Sequence, residues 1–134
     1  MTLSDNTLTT KISIELNMSV PPLAQIRHWL ATVLADLAEE LLQDLLLVCT
    51  ELVSNAYDHA GAPRRLRVHP TPDYRALRVE VDDGSPDLLP VAGTSRLNGF
   101  RGRGLVMVDS LSCRRWGTRV HDDGKTVWAE LALA

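Results

Sequence analysis

Cysteine, aromatic residues and long apolar runs are scarce in this chain of 134 residues. Its two cysteines are too few for a disulfide framework, and a chain of this length buries a core without one. The longest apolar run, residues 45–49, has five residues and is far too short to cross a bilayer. No basic segment followed by an apolar stretch occurs before residue 30, so we expect no secretory leader. These absences predict a soluble protein of the cytoplasm that makes no membrane contact.

A surplus of positive charge is also missing, since 14 basic side chains stand against 17 acidic ones for a net charge of −3. Domains that bind nucleic acid directly are usually basic, so we expect no direct nucleic-acid contact. The hydrophobic share of 45% excludes a disordered chain. Residues 1–10 are polar and predict a flexible N-terminus, and the length of residues 11–134 predicts a single domain. The cysteines and histidines lack the spacing of a zinc site.

Hydrophobic periodicity predicts a strand, two helices, two strands, a loop, a helix and two strands, in that order. The predicted bounds are 11–16, 23–37, 39–59, 66–69, 77–81, 105–111, 114–120 and 126–133. The helix over 39–59 is apolar around most of its circumference, which requires burial on more than one side. This order predicts an α+β fold, a two-layer α/β sandwich in which three helices cover one face of a mixed or antiparallel sheet.

A polar stripe interrupts the apolar surface of the helix over 39–59. Glu51, Asn55 and Asp58 are spaced i, i+4 and i+7, so they share one helix face. One interpretation is an ordinary solvated face. The other is a cleft in which the Asn55 carbonyl ligates Mg²⁺ beside phosphate oxygens, while a carboxylate one turn away orients or deprotonates a nucleophile. The stripe alone does not decide between them.

Two glycine-containing turns are candidate ligand contacts. The segment Asp82-Asp83-Gly84-Ser85-Pro86 ends a strand, and its glycine permits a tight turn close to a ligand. An aspartate at a strand end accepts a hydrogen bond from an exocyclic amine, although a plain acidic turn has the same sequence. The segment Gly102-Arg103-Gly104-Leu105 opens the last predicted helix, where backbone N–H groups and the helix dipole favour anions. A flexible loop entering a helix explains this second segment equally well.

The three segments together resemble the GHKL ATPase superfamily. Glu51-Leu52-Val53-Ser54-Asn55-Ala56 resembles its N-box, and the segments from Asp82 and Gly102 resemble its two glycine boxes. The pairs Asn55-Ala56 and His59-Ala60, with the ending from Gly124 to Leu131, are similar to stand-alone actinobacterial anti-sigma-factor serine/threonine kinases. The resemblance covers residues 11–133 and implies a Bergerat-type ATP-binding fold.

The resemblance implies a role for each residue of the N-box and the first glycine box. Asn55 would ligate Mg²⁺ that bridges the ATP phosphates, and Glu51 would be the general base. Asp82 would bind the adenine amine, and Gly84 would let the base approach. Thr126, in the closing hairpin, would support the adenine pocket.

The second glycine box would hold the phosphates. Its backbone N–H groups, from Gly102, Arg103, Gly104 and Leu105, would lie beneath a lid formed by residues 87–101. Arg101 and Arg103 add positive charge to this loop, which suits phosphate binding.

The resemblance also implies partners and an activity. The protein would phosphorylate a serine or threonine of an anti-sigma antagonist and would sequester a sigma factor. The sequence leaves open whether the domain also forms a homodimer. Pro86 stands where the family has the last glycine of its first box, and the lid is short. These departures favour an alternative, a non-catalytic ATP-dependent interaction switch of the same fold. A third alternative is an interaction domain that binds no nucleotide.

Overall fold

Alternating apolar residues build five strands, and stretches of helical periodicity build three helices, in the described part of the chain. The computed structural model describes residues 11–87 and 99–133, except for the side chains of residues 99–104. The elements are β1 (Ile12–Glu15), α1 (Leu23–Val33), α2 (Glu39–His59), β2 (Arg65–Pro70), β3 (Ala76–Asp83), α3 (Gly99–Leu111), β4 (Trp116–Val120) and β5 (Lys125–Ala132). The described residues include no helix long and apolar enough to cross a membrane.

The five strands form one sheet in the order β1-β2-β3-β5-β4, and every neighbouring pair is antiparallel. The α+β sandwich is therefore confirmed, and of the two sheet types that the sequence left open the antiparallel one is present. Strand alternation gives the sheet two different faces. On β3, Leu77, Val79 and Val81 are buried in the core that the helices share. The residues between them point to the other face, which we call the helix-free face.

The core lies between the sheet and α2, whose predicted bounds of 39–59 are confirmed. This helix contacts α1, α3, β3 and β5, which explains why apolar side chains cover most of its circumference. Its fully buried residues include Leu45, Val48, Cys49 and Val53. Ile26 and Leu30 of α1 complete the core from a second helix.

Two predicted helix bounds differ from the structure. The first helix ends at Val33 rather than at residue 37, because the chain turns at Leu34 while that side chain stays buried. The last helix begins at Gly99 rather than near residue 105, so Gly102 and Gly104 lie inside it and not before it. Glycine disfavours helix, and the tertiary context outweighs that preference here. The predicted loop between the strand over 77–81 and the helix over 105–111 is shortened at both ends, and residues 88–98, which include most of the predicted lid, lie outside the described residues.

Candidate functional site

Asn55 presents a buried amide on the second half of α2. Its side chain is 8% exposed, and its Nδ2 atom finds no hydrogen-bond acceptor among the residues that the structure describes. A buried donor without an acceptor costs about 1–3 kcal/mol, and a bound ligand that supplies an acceptor removes this cost. Glu51 lies one turn earlier on the same helix and is half-buried. The structure therefore places both N-box residues on one helix face, with an amide that a bound oxygen atom would satisfy.

The turn after β3 is tied to the chain that leaves α2. The N–H of Gly84 donates to the Gly61 carbonyl over 2.8 Å, and the N–H of Gly61 donates to the Ser85 hydroxyl over 2.7 Å. A Cβ atom on Gly84 would stand 2.3 Å from the Ala62 carbonyl oxygen. The sequence predicted that Gly84 allows close approach to a ligand. In the structure the close neighbour of Gly84 is instead the backbone of the α2–β2 connection.

A buried ion pair fixes the same turn from the other side. The Lys125 ammonium donates to Oδ1 of Asp83 over 3.0 Å and to the Ser85 carbonyl over 2.9 Å, and it lies 3.0 Å from Oδ2 of Asp83. Both side chains are almost inaccessible, at 3% exposure for Lys125 and 2% for Asp83. The Asp83 carboxylate also accepts the N–H of Ser85 over 2.9 Å. The turn that follows β3 is therefore held by the α2–β2 connection, by β5 and by its own aspartate.

Asp82 and Thr126 lie on the helix-free face, away from Asn55. Asp82 accepts two hydrogen bonds from Arg67, over 2.7 and 3.0 Å, and a third from the Thr126 hydroxyl over 2.6 Å. Burial opposes ionisation of Asp82, but the Arg67 and Thr126 hydrogen bonds outweigh it and lower the pKa of the carboxyl. His121 contacts the Thr126 hydroxyl over 2.9 Å. The structure therefore does not bring these two predicted site residues together with the N-box.

The sequence analysis did not select Asp83 as a candidate site residue, although the alternation of apolar residues along β3 would have indicated it. Leu77, Val79 and Val81 alternate as the buried face of β3, and the next residue of that face is Asp83, not Asp82. Extending the alternation by one step places Asp83 on the helix side of the sheet. The same reasoning could not identify Lys125 as the partner of Asp83, because the register of β3 with β5 decides which residue faces Asp83.

The second glycine box forms the first turns of α3. Leu105 is buried in the core, and α3 packs against α2. The N–H groups of the first turn of a helix have no partner inside the helix, and here they belong to the residues from Gly99 to Gly102. The predicted phosphate-binding backbone therefore overlaps the beginning of α3, shifted toward Gly99. The side chains of Arg101 and Arg103 lie outside the description.

Other chemistries find no support in the described ranges. No group of three or more histidine, cysteine or acidic side chains there has the geometry of a metal centre. Cys49 is fully buried, and burial raises the pKa of its thiol to about 12, so it is not a nucleophile. Cys113 is exposed.

Comparison with known proteins identifies the family and the fold. The family model for the histidine kinase-like ATPase domain matches residues 19–131. A solved structure of the RsbU and RsbW domains of Rv1364c from Mycobacterium tuberculosis is similar, with a TM-score of 0.67 and 19% sequence identity. The match covers 93% of this chain but only 32% of that one, and at this identity it shows the fold alone. No curated protein matches the sequence. Because the family model spans most of its length, this chain belongs to the histidine kinase-like, or GHKL, ATPase family.

Proposed function

We propose that the protein binds ATP with Mg²⁺ at the N-box face of α2 and transfers phosphate to a serine or threonine of a partner protein. One observation carries the proposal, the buried Nδ2 atom of Asn55 that lacks an acceptor in the described chain. The two ends of a side-chain amide are interchangeable by rotation, so Asn55 offers either a donor to phosphate or a carbonyl to Mg²⁺. The family membership supports the nucleotide as the ligand.

The residues of α2 divide the chemistry between them. Bound ATP supplies the phosphoryl group, and Mg²⁺ neutralises charge on its phosphates. Asn55 fixes the position of the phosphates, since it lies on the buried second half of the helix. Glu51 accepts the proton of the attacking serine or threonine hydroxyl, one helical turn away. The N–H groups at the beginning of α3 bind phosphate oxygens through the positive end of the helix dipole.

We assign the recognition of the adenine amine to Asp83 in place of Asp82. Asp83 belongs to the helix side of the sheet, whereas Asp82 points to the helix-free face. The Asp83 carboxylate accepts hydrogen bonds from Lys125 and from the N–H of Ser85 at Oδ1, and its Oδ2 lies 3.0 Å from the Lys125 ammonium. A carboxylate has about four acceptor positions, so Oδ2 keeps a position for an exocyclic amine. Asp83→Asn should then lower the preference for ATP over GTP, and Asp82→Asn should leave this preference unchanged.

The proposed partners are a sigma factor and an anti-sigma antagonist, as the resemblance implies. The first helix has apolar side chains at its surface, with Trp29 43% and Val33 39% exposed. Exposed apolar groups that lie together on one helix suit a protein contact. We therefore assign the sigma-factor contact, or a homodimer contact, to α1. Trp29→Ala should weaken capture of the partner without changing ATP binding.

Calorimetric titration with ATP, with and without Mg²⁺, tests the nucleotide site. Asn55→Ala should abolish Mg²⁺-dependent binding, and the control Gln43→Ala, at an exposed amide side chain of the same helix, should bind as the wild type does. Equal binding by both variants contradicts the proposed site. Glu51→Gln should keep ATP binding and lose phosphate transfer in a single-turnover assay with labelled ATP. If the wild-type protein returns its ATP intact with every candidate antagonist, the non-catalytic switch replaces the kinase.

A further inference from the structure

The helix-free face carries a groove whose lining shares Asp83 with the proposed nucleotide site but includes neither Asn55 nor Glu51. It has a volume of about 560 Å³. Its floor is one row of side chains that runs across all five strands, because each member is the register partner of the next. In sheet order the row consists of Glu15, Arg65, Asp82, Thr126 and Arg119. The groove therefore depends on the register of the whole sheet.

Most of the charge in the groove is already balanced. Three carboxylates along it each contact a cation: Glu15 contacts Arg65 over 2.6 Å, Asp82 contacts Arg67 over 2.7 Å, and Asp83 contacts Lys125 over 3.0 Å. Charges that are paired at these distances largely cancel for a ligand nearby. The binding character of the groove is set by the groups that remain.

Two arginines are left without a carboxylate. The Arg64 guanidinium donates to the carbonyls of Ala56 and Ala60, over 3.2 and 2.7 Å. Because both acceptors are uncharged, its positive charge is not offset. Arg119 is exposed and forms no ion pair or hydrogen bond with any residue in the described ranges. Among the acidic residues of the lining, Asp123 alone belongs to none of the three pairs. The groove thus has a surplus of positive charge and a guanidinium with all its donors available.

We propose that this groove is a second anion-binding site, which takes a small phosphorylated molecule. A guanidinium presents paired N–H donors at the spacing of two phosphate oxygens, which makes arginine a preferred phosphate ligand. The volume lies in the range of sites for small organic ligands. Arg119 binds the phosphate, and Arg64 adds to the same lining a positive charge that no carboxylate offsets. The row that ends at Arg119 lies on the opposite face of the sheet from Asn55.

Pyrophosphate in the presence of EDTA is the probe, because the proposed nucleotide site requires Mg²⁺ and the groove does not. Calorimetric titration at low salt measures its affinity for the wild-type protein. Arg119→Gln should weaken binding at least about tenfold, since a hydrogen bond to a charged group is worth about 1.5–3 kcal/mol. Arg75→Gln removes an exposed arginine outside the groove lining and should bind as the wild type does. The thermal midpoint of each variant shows that it is folded.

Asn55→Ala separates this site from the nucleotide site. The groove proposal requires that Asn55→Ala keeps pyrophosphate binding and that Arg119→Gln keeps binding of ATP with Mg²⁺. Loss of pyrophosphate binding in Asn55→Ala, with wild-type binding in Arg119→Gln, overturns the proposal because the phosphate then occupies the nucleotide site. Absence of pyrophosphate binding by the wild-type protein at millimolar concentration overturns it as well. Both results leave the proposed ATP site untouched.

Discussion

Replacing Lys125 by methionine tests whether the buried ion pair stabilises the turn after β3. Methionine has a side chain of similar length and shape, so the substitution removes the charge and keeps most of the volume. The Lys125 ammonium makes three contacts, two to Asp83 and one to the Ser85 carbonyl. After the substitution, the Asp83 carboxylate loses the ammonium and keeps the hydrogen bond from the N–H of Ser85.

The expected loss follows from the burial of both charges. Removing one member of a buried ion pair leaves a buried charge without compensation, which costs about 3–5 kcal/mol. An exposed ion pair would cost about 0–1 kcal/mol, so the 3% and 2% exposures of the two side chains decide the magnitude. We therefore expect Lys125→Met to lower the free energy of unfolding by about 3–5 kcal/mol.

Urea denaturation followed by circular dichroism measures this change. The slope m of the free energy of unfolding against urea concentration is compared with that of the wild type. The chain has two lysines, and the exposed Lys11 provides the matched control. Lys11→Met should change the free energy of unfolding by less than about 0.5 kcal/mol. The double variant Lys125→Met/Asp83→Asn should recover part of the loss, because the uncompensated charge is then gone.

A small effect of the single substitution would refute the reasoning. If Lys125→Met costs under about 1 kcal/mol, the pair behaves as a solvated surface pair and is not buried in solution. If the double variant is no more stable than the single variant, the stranded Asp83 charge is not the source of the loss. Binding of ATP to Lys125→Met reports separately on the turn, since the same contacts fix its position.

Three further predictions follow from other contacts. Gly84→Ala should destabilise the fold by about 1–3 kcal/mol in urea denaturation, because the added Cβ would overlap the backbone of Ala62. Gly61→Ala should be nearly neutral, because its added Cβ would meet only the Ser85 hydroxyl, at 3.4 Å. Equal losses of stability in the two variants would contradict this reasoning. The lowered pKa of Asp82 adds stability that is complete above its ordinary pKa and lost as the pH falls through the lowered value. Asp82→Asn should flatten the acid limb of the stability curve in urea titrations at stepped pH, and an unchanged limb would exclude that linkage. A thiol reagent should label Cys113 in the native protein and Cys49 only after unfolding, and labelling of two native thiols would contradict the burial of Cys49.

Local periodicity explains why so much of the fold could be predicted from the sequence. The bounds of α2 were correct because its apolar residues, and the Gly61 and Pro63 that follow it, are local signals. The i, i+4 spacing of Glu51 and Asn55 fixes their common face wherever the helix packs. The bounds of α1 and α3 were less accurate, because tertiary packing decides where a helix ends or begins.

The sequence by itself therefore determined the order of the elements, the α+β class and the N-box face of α2. The tertiary structure alone decided that Lys125 contacts Asp83, since 42 residues and the β3–β5 register separate them. It also decided that Arg119 stands at the end of a row reaching Glu15, because that row requires all four strand pairings at once. Periodicity depends on neighbours along the chain, whereas register depends on how distant strands share one core.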